Sequence, residues 1–323
     1  MREFNITMLG ARYVGKTSLL TSMYHEYQEE IEKTTIKINT DTRTASLLGK
    51  TLADLKSLNA DSSNEGIKPT EFIGVDPKEI KPFIFEVGQK GKKSEIKLNF
   101  WDYPGVWNTE DIGEQKDKYV MNKIKESVAI LIAIDTPALM AAKGKWHHKQ
   151  NHPLQIINRF NKCYADLKSP RLVILAPIKC ESYVQDEKSR QELTNKIKQE
   201  YKVLLDLFQS EALADKVAVV ITPVQTVGNI FFSYIDVRQN TPLFRFKKQN
   251  PDAEYSPKDN EQPLKYLLRF LLALHLNNRL WGFFRDWFKW DEYLKQAIRD
   301  FAKDCKDSDG FEVVQGKKLL DIN

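Results

Sequence analysis

The sequence predicts an α/β protein built on a mostly parallel sheet, and three observations predict it. A glycine loop, GARYVGKTS at residues 10–18, lies between a strand-like apolar run and a helix-like pattern. Three more apolar runs, 127–134, 171–177 and 216–221, are nearly continuous, as strands covered on both faces are. Helical spacing fills the gaps at 113–126, 153–168 and 186–212, so strands and helices alternate.

The elements follow in order. Phe4, Ile6, Met8 and Leu9 read as a short buried strand, and Leu19, Leu20, Met23 and Tyr27 recur at helical spacing. Between them stands G-x-x-x-x-G-K-[ST], in the context that makes it a phosphate-binding loop. Gly10 permits the tight turn and Gly15 lets backbone approach a phosphate. The amides of the loop, through Tyr13, Val14, Gly15, Lys16, Thr17 and Ser18, face the anion together with the helix N-terminus. Lys16 places an ammonium at the β- and γ-phosphates, and the Thr17 hydroxyl is positioned to ligate Mg2+.

A polar stretch runs from about residue 29 to 69, with leucines at 47, 48, 52, 55 and 58 that predict a helix over 44–58. Runs 82–87 and 95–101, joined by GQKGKK, predict an antiparallel hairpin. From residue 263 the pattern is helical and aromatic, and the tail from 309 either stays unstructured or docks as a strand.

Composition narrows the classes. Hydrophobic residues make up 41% and charged residues 29%, ordinary for a globular protein. A net charge of +5, from 49 basic and 44 acidic residues, is mild and gives no reason to expect nucleic acid as a partner. Cys163, Cys180 and Cys305 lie far apart and fit a reducing, cytoplasmic setting as core residues. No signal peptide and no uninterrupted apolar stretch of membrane-spanning length is read.

Four later stretches bear on nucleotide chemistry. Asp102-Tyr-Pro-Gly105 ends a strand; its carboxylate can hold the Mg2+ shell, and Gly105 can offer an amide to a γ-phosphate. Thr70, in a loop ahead of the hairpin, is favoured over Thr34, Thr35, Thr40, Thr42 and Thr44 as the residue that closes over Mg2+; the plainer reading is an ordinary loop threonine. Lys179 and Glu181 have the spacing of a stem beneath a guanine ring and a carboxylate at its N1–H and N2 amino groups; a surface pair is the alternative. Thr222-Pro223-Val224 can point a backbone amide at guanine O6, or can simply terminate a strand.

On GARYVGKT, WDYPG, IKCE and TPV the chain resembles the TRAFAC-type, Ras-like P-loop GTPases over about residues 3–235. More narrowly, GKT, DYPG, PxKCE and TPVQTVG resemble the bacterial double-GTPases of multi-gene operons thought to act in biological conflict. The resemblance implies a three-layer P-loop NTPase fold, with one antiparallel hairpin strand and C-terminal helices. It implies a Ras-like domain at 1–240, carrying a helical insertion at about 30–69, and a helical extension at 241–323. It also implies a GTP-binding switch that uses Mg2+ and turns GTP into GDP, with Lys16, Thr70 and Gly105 as its catalytic residues.

Departures shape that expectation. Ile178 stands where the family has asparagine, and Glu181 where it has aspartate, although a longer carboxylate can still accept two hydrogen bonds. Val106 stands where Ras-like proteins have the glutamine that orients water. Slow turnover is implied, or a catalytic group from Glu110, Asp111, Glu114, Gln115, Arg12 or a partner's arginine. The alternative is a non-catalytic nucleotide-binding scaffold. An ATP-driven motor is disfavoured because no second acidic residue follows Asp102 at the strand end. His147, His148 and His152 are read as a solvated loop in preference to a metal site. Trp281, Phe283, Phe284, Trp287, Phe288, Trp290 and Tyr293 are read first as helices packed on the core, then as a protein- or membrane-binding face. A protein partner is expected at the switch loops or at these helices.

Overall fold

A computed structural model describes residues 1–58, 76–108, 113–277 and 290–322, without the side chains of residues 30 and 31. Strands β1 (Arg2–Leu9), β2 (Ile36–Thr40), β3 (Phe83–Gln89), β4 (Ile96–Asp102), β5 (Ala129–Asp135), β6 (Arg171–Ile178) and β7 (Val217–Ile221) share one sheet. β8 (Ile230–Arg238) and β9 (Thr241–Lys248) form a separate hairpin, and β10 (Glu312–Gln315) returns to the main sheet. The order among the described residues is β10-β7-β6-β5-β1-β4-β3-β2. β7, β6, β5, β1 and β4 are mutually parallel, and β3 runs antiparallel to β4, as the hairpin signal predicts. Two antiparallel pairings extend the prediction: β2 on β3, and β10 on β7.

Helices cover both faces. On one lie α1 (Lys16–Glu30) and α2 (Thr42–Lys56). On the other lie α3 (Glu114–Glu126) and, beyond the short α4 (Thr136–Met140) and α5 (His147–Asn151), α6 (Pro153–Tyr164), α7 (Glu187–Glu200) and α8 (Lys202–Phe208). α9 (Gln262–Leu276) and α10 (Glu292–Ala302) join the first face. β5 is therefore buried along its whole length, which is why its run is continuously apolar. α2 is the helix expected from the leucine stripe. Its N-cap Asp41 accepts from the Thr44 amide, and the Thr44 hydroxyl accepts from the Ile84 amide of β3.

Because the central strands are parallel, their carboxyl ends share one edge of the sheet. The loops after β1, β4, β5, β6 and β7 gather there, the usual location of a ligand in such sheets.

The C-terminal part is more than helices. The 240/241 boundary falls in the turn of the β8–β9 hairpin, where Gln239 and Asn240 take φ of 47° and 60°. α9 is buried through most of its length, and the tail docks as β10. The histidine stretch also differs from expectation: it is helical, with His147 fully buried against Tyr201. Burial pulls the His147 pKa down to about 4. Among the described residues no helix is long and apolar enough to cross a membrane. Thr70, Glu110, Asp111, Trp281, Phe283, Phe284, Trp287 and Phe288 lie outside the described residues.

Candidate nucleotide site

β1 delivers the chain into the glycine loop at the sheet's edge. Gly10 (φ 150°) and Gly15 (φ 107°) occupy backbone regions that favour glycine, and a Cβ on Gly10 would lie 3.0 Å from the Ala133 carbonyl oxygen of β5. Tyr13 also takes positive φ, at 63°, and its ring is exposed with the Arg12 guanidinium 4.6 Å above it. Arg12 thus packs on its neighbour at the surface.

Lys16 opens α1 and is only 7% exposed. Its ammonium donates to the Gly10 carbonyl at 3.2 Å and faces Asp102 Oδ1 at 3.6 Å. Burial pulls its pKa down, and Asp102 pulls the other way. The Thr17 hydroxyl donates to Asp102 Oδ2 at 2.7 Å. Asp102 Oδ1 is buried and accepts no hydrogen bond among the described residues. The expected trio of Lys16, Thr17 and Asp102 therefore converges, although the residues lie 85 positions apart in sequence.

Gly105 begins a 3-10 turn, residues Gly105–Asn108, that lies against the glycine loop. A Cβ there would fall 2.2 Å from the Arg12 amide nitrogen and 2.4 Å from the Ala11 carbonyl carbon. Only glycine permits this approach. Val106 is 40% exposed, whereas Trp107 is buried and stacks on Tyr103. The Arg159 guanidinium, from α6, donates to the Trp107 carbonyl and pairs with Asp117 of α3, so the turn is fixed from behind.

Lys179 leaves β6 with φ of 56°, and its ammonium donates to the Tyr13 carbonyl at 2.8 Å and to Asp135 Oδ2 at 2.7 Å. This bond ties the segment after β6 to the glycine loop. Asp135 is a residue to which the sequence reading assigned no role. Its Oδ1 caps α4 through the Ala138 amide, and Asn151 brackets its backbone by accepting from its amide and donating to its carbonyl. Asn151 in turn meets His147 Nδ1 at 3.0 Å. The available signal was an aspartate followed by Thr-Pro at a strand end, a helix-capping pattern.

Two expectations change. Glu181 is 2% exposed, and its Oε1 accepts from the amides of Val227 at 3.1 Å and Gly228 at 3.2 Å. The carboxylate therefore does not present two open oxygens, and burial pushes its pKa up. The Thr222 amide donates to the Leu175 carbonyl and the Val224 amide to the Pro177 carbonyl, while Pro223 has no N–H. None of these three can aim an amide at guanine O6, because the segment continues the pairing of β7 with β6.

A sequence model of the Double-GTPase 2 family matches residues 5–224, more than half of the chain. The chain belongs to the Double-GTPase 2 family. The Double-GTPase 2 match begins within β1 and ends just beyond β7, so it takes in every strand whose end borders the site. Among solved structures the chain is similar to Era in complex with MgGDPNP and nucleotides 1506-1542 of 16S ribosomal RNA, at 12% identity, over 85% of this chain and 67% of that one, with a TM-score of 0.33. It is also similar to the bacterial selenocysteine-specific elongation factor EF-Sec, at 13% identity, over 74% of this chain and 33% of that one, with a TM-score of 0.30. No curated protein matches the sequence.

Proposed function

We propose that this Double-GTPase 2 chain binds GTP with Mg2+, hydrolyses it slowly and works as a nucleotide-dependent switch in a bacterial conflict or defence system. One arrangement carries the reading: Lys16, Thr17 and Asp102 converge beneath the glycine loop while Gly105 lies against its backbone. The place in a conflict system rests on the family likeness alone.

The donor set suits Mg2+. The Thr17 hydroxyl and the Asp102 carboxylate are hard oxygen donors, and Asp102 Oδ1 is buried without a hydrogen bond. Thr17 would hold the ion directly and Asp102 would hold its shell, with Thr70 proposed as a further ligand. Bound Mg2+ supplies charge neutralisation at the β- and γ-phosphates. The chain's own groups do the rest. The loop amides cradle the phosphates, and Lys16 exchanges the Gly10 carbonyl for phosphate oxygens. Gly105 offers its amide as the γ-phosphate is ordered, and the turn behind it is held by Arg159. Water attacks the γ-phosphorus in line, and Lys16 stabilises the charge that develops.

Val106 favours a second reading. Half-exposed valine at the position after Gly105 cannot orient a water, so the fold also suits a scaffold that binds nucleotide without turning it over. Mass spectrometry of nucleotide released from the purified protein, with and without Lys16→Ala, tests binding. Multiple-turnover phosphate release then separates the two: a measurable rate supports the switch, and bound GTP without release supports the scaffold.

A further inference from the structure

The hairpin of β8 and β9 has two unlike faces, and its register sets them apart. On one face Phe232 pairs with Phe246 and Ile235 with Phe244. This face turns toward the segment after β6. Tyr183 stacks on Phe232, the Lys179 ammonium lies 5.9 Å from the Phe246 ring centre, and the Ser182 hydroxyl donates to the Phe232 carbonyl. The opposite face pairs Phe231 with Lys247, Tyr234 with Arg245 and Arg238 with Thr241. It looks outward: Tyr234 is 58% exposed, and Lys247, Arg238 and Thr241 are in solvent. A solvated ribbon face has no need of aromatic rings. Here a ring stands opposite a cation at two successive positions. Residues 230–248 hold four basic side chains and one acidic one, a net of +3 against +5 for the whole chain. The acid, Asp236, is bound by both Arg238 and Arg245, so it presents no open carboxylate. Lys247 makes no ion pair among the described residues. At the turn, exposed Lys149 of α5 donates to the Asn240 carbonyl at 2.7 Å and extends the basic strip. Positive charge that is dilute over the chain is therefore concentrated along one ribbon.

We infer that the outward face of the β8–β9 ribbon binds single-stranded nucleic acid, with Tyr234 stacking a base and Lys247, Arg238 and Lys149 meeting phosphates. A base has a π-face for the ring, and its phosphate has a charge for the neighbouring cation, so alternation of the two side-chain types suits both parts of a nucleotide. An acidic polypeptide would satisfy the cations and leave the ring without a stacking partner. A duplex keeps its bases stacked on one another and offers the ring only their edges. The reading of the glycine loop stands or falls separately, because this face lies on the side of the ribbon away from Lys179.

Fluorescence anisotropy on the full chain at low salt tests this, with labelled oligouridylate and oligothymidylate of about ten nucleotides and a DNA duplex of the same length. Each single strand should bind at least about tenfold more tightly than the duplex. Tyr234→Ala should weaken the single strands by about tenfold, the worth of one stacked base, and leave the salt dependence unchanged. Tyr234→Phe keeps the ring and should bind as the wild type does. Lys247→Gln should lower the slope of log affinity against log salt by about 0.7, one phosphate contact on a single strand. Both side chains are exposed, so all three variants should melt with the wild type. Duplex bound as tightly as single strand overturns the inference. So does polyglutamate that competes as well as an oligonucleotide of equal charge, or Tyr234→Ala at wild-type affinity. Absence of oligonucleotide binding overturns it too, whether or not phosphatidylserine vesicles bind.

Discussion

At the scale of single residues, the site depends on close approaches that tolerate no added atoms and on charges with few alternatives. Lys16 is buried with its ammonium shared between the Gly10 carbonyl and Asp102. Lys16→Ala should reduce GDP and GTP affinity by roughly a hundredfold, the worth of two charge-assisted bonds to phosphate, with little change in the circular dichroism spectrum. Titration with a fluorescent guanine nucleotide checks it. Gly105→Ala should act differently. Its new methyl would meet the Ala11–Arg12 backbone, which cannot rotate out of the way, so the turn must retreat from the glycine loop. A loss of about 1–3 kcal/mol in thermal or urea unfolding is expected. GDP affinity should be largely kept, because in the proposed binding mode the loop itself cradles the β-phosphate, while phosphate release falls below detection. Wild-type turnover in Gly105→Ala would remove this residue from the mechanism. The legibility of the site divides along the same line. Residues 10–18 and the Asp102–Gly105 pair were readable because their chemistry is local and their spacing narrow. Thr222 to Val224 were misplaced because whether an amide is free depends on how far β7 pairs with β6, which no local pattern reveals. Asp135 and Asn151 were missed because their bond spans the short helices between them.

At the scale of elements, α1 carries the site into the C-terminal part of the chain. The Ser22 hydroxyl donates to Asn260 Oδ1, the Asn260 amide donates to Glu26, and the Asn260 side chain donates to the Gln225 carbonyl. One asparagine thus links the helix that follows the glycine loop to the segment that follows β7. Glu26 lies beside Glu261, with Lys265 pairing the latter and Tyr255 close by. Burial first, and then the negative charge of Glu261, push the Glu26 pKa from 4.5 up to about 8. A carboxyl whose folded pKa is raised contributes fully below its unfolded value and loses that contribution as pH rises through the folded one. The wild type should therefore lose stability between about pH 4.5 and about pH 8 through this group. Glu26→Gln keeps the acceptor for Asn260 and removes the titration. It should stabilise the protein at pH 8 by an amount on the order of 1 kcal/mol, seen as a higher melting temperature, and leave stability unchanged at pH 4.5. Parallel melts at the two pH values decide this, and an equal shift at both would show that the carboxyl's charge is not at issue. Elements that escaped the sequence reading share one cause. β2 has only Ile36 and Ile38 facing the core within a polar stretch. β8 and β9 form a ribbon with much of its surface in solvent, so neither shows a continuous apolar run. Their best signal was the Gln-Asn pair at the turn, whose positive φ angles suit a two-residue hairpin.

For the molecule as a whole, the open matter is whether residues 241–323 are an extension that can be removed or a part of the fold. The geometry argues for the second. β10 supplies the antiparallel partner of β7, and without it the last parallel strand would present an unpaired edge. Leu264, Leu267, Leu268, Phe270 and Leu271 of α9 lie in the same apolar layer as α1 and the inner face of the sheet, and Phe301 of α10 meets Tyr27 edge to face. Removing them would bare a contiguous apolar surface far larger than a soluble monomer carries. The cut at 240 would also split β8 from β9, and take away the 256–258 segment that holds Val227 and Gln225 in place. A fragment ending at residue 240 should accordingly be insoluble or unfold without cooperativity, and nucleotide should not rescue it, because the segment after β7 has lost its support from residues 256–258. Expression of residues 1–240 beside the full chain, followed by size-exclusion chromatography and thermal unfolding with and without GDP, measures this directly. A monomeric fragment with a sharp transition that shifts upward with GDP would mean that the GTPase unit is complete by β8. The family match, which ends at residue 224, would then mark a true structural boundary, and the C-terminal helices would be a covering that the sheet does not require.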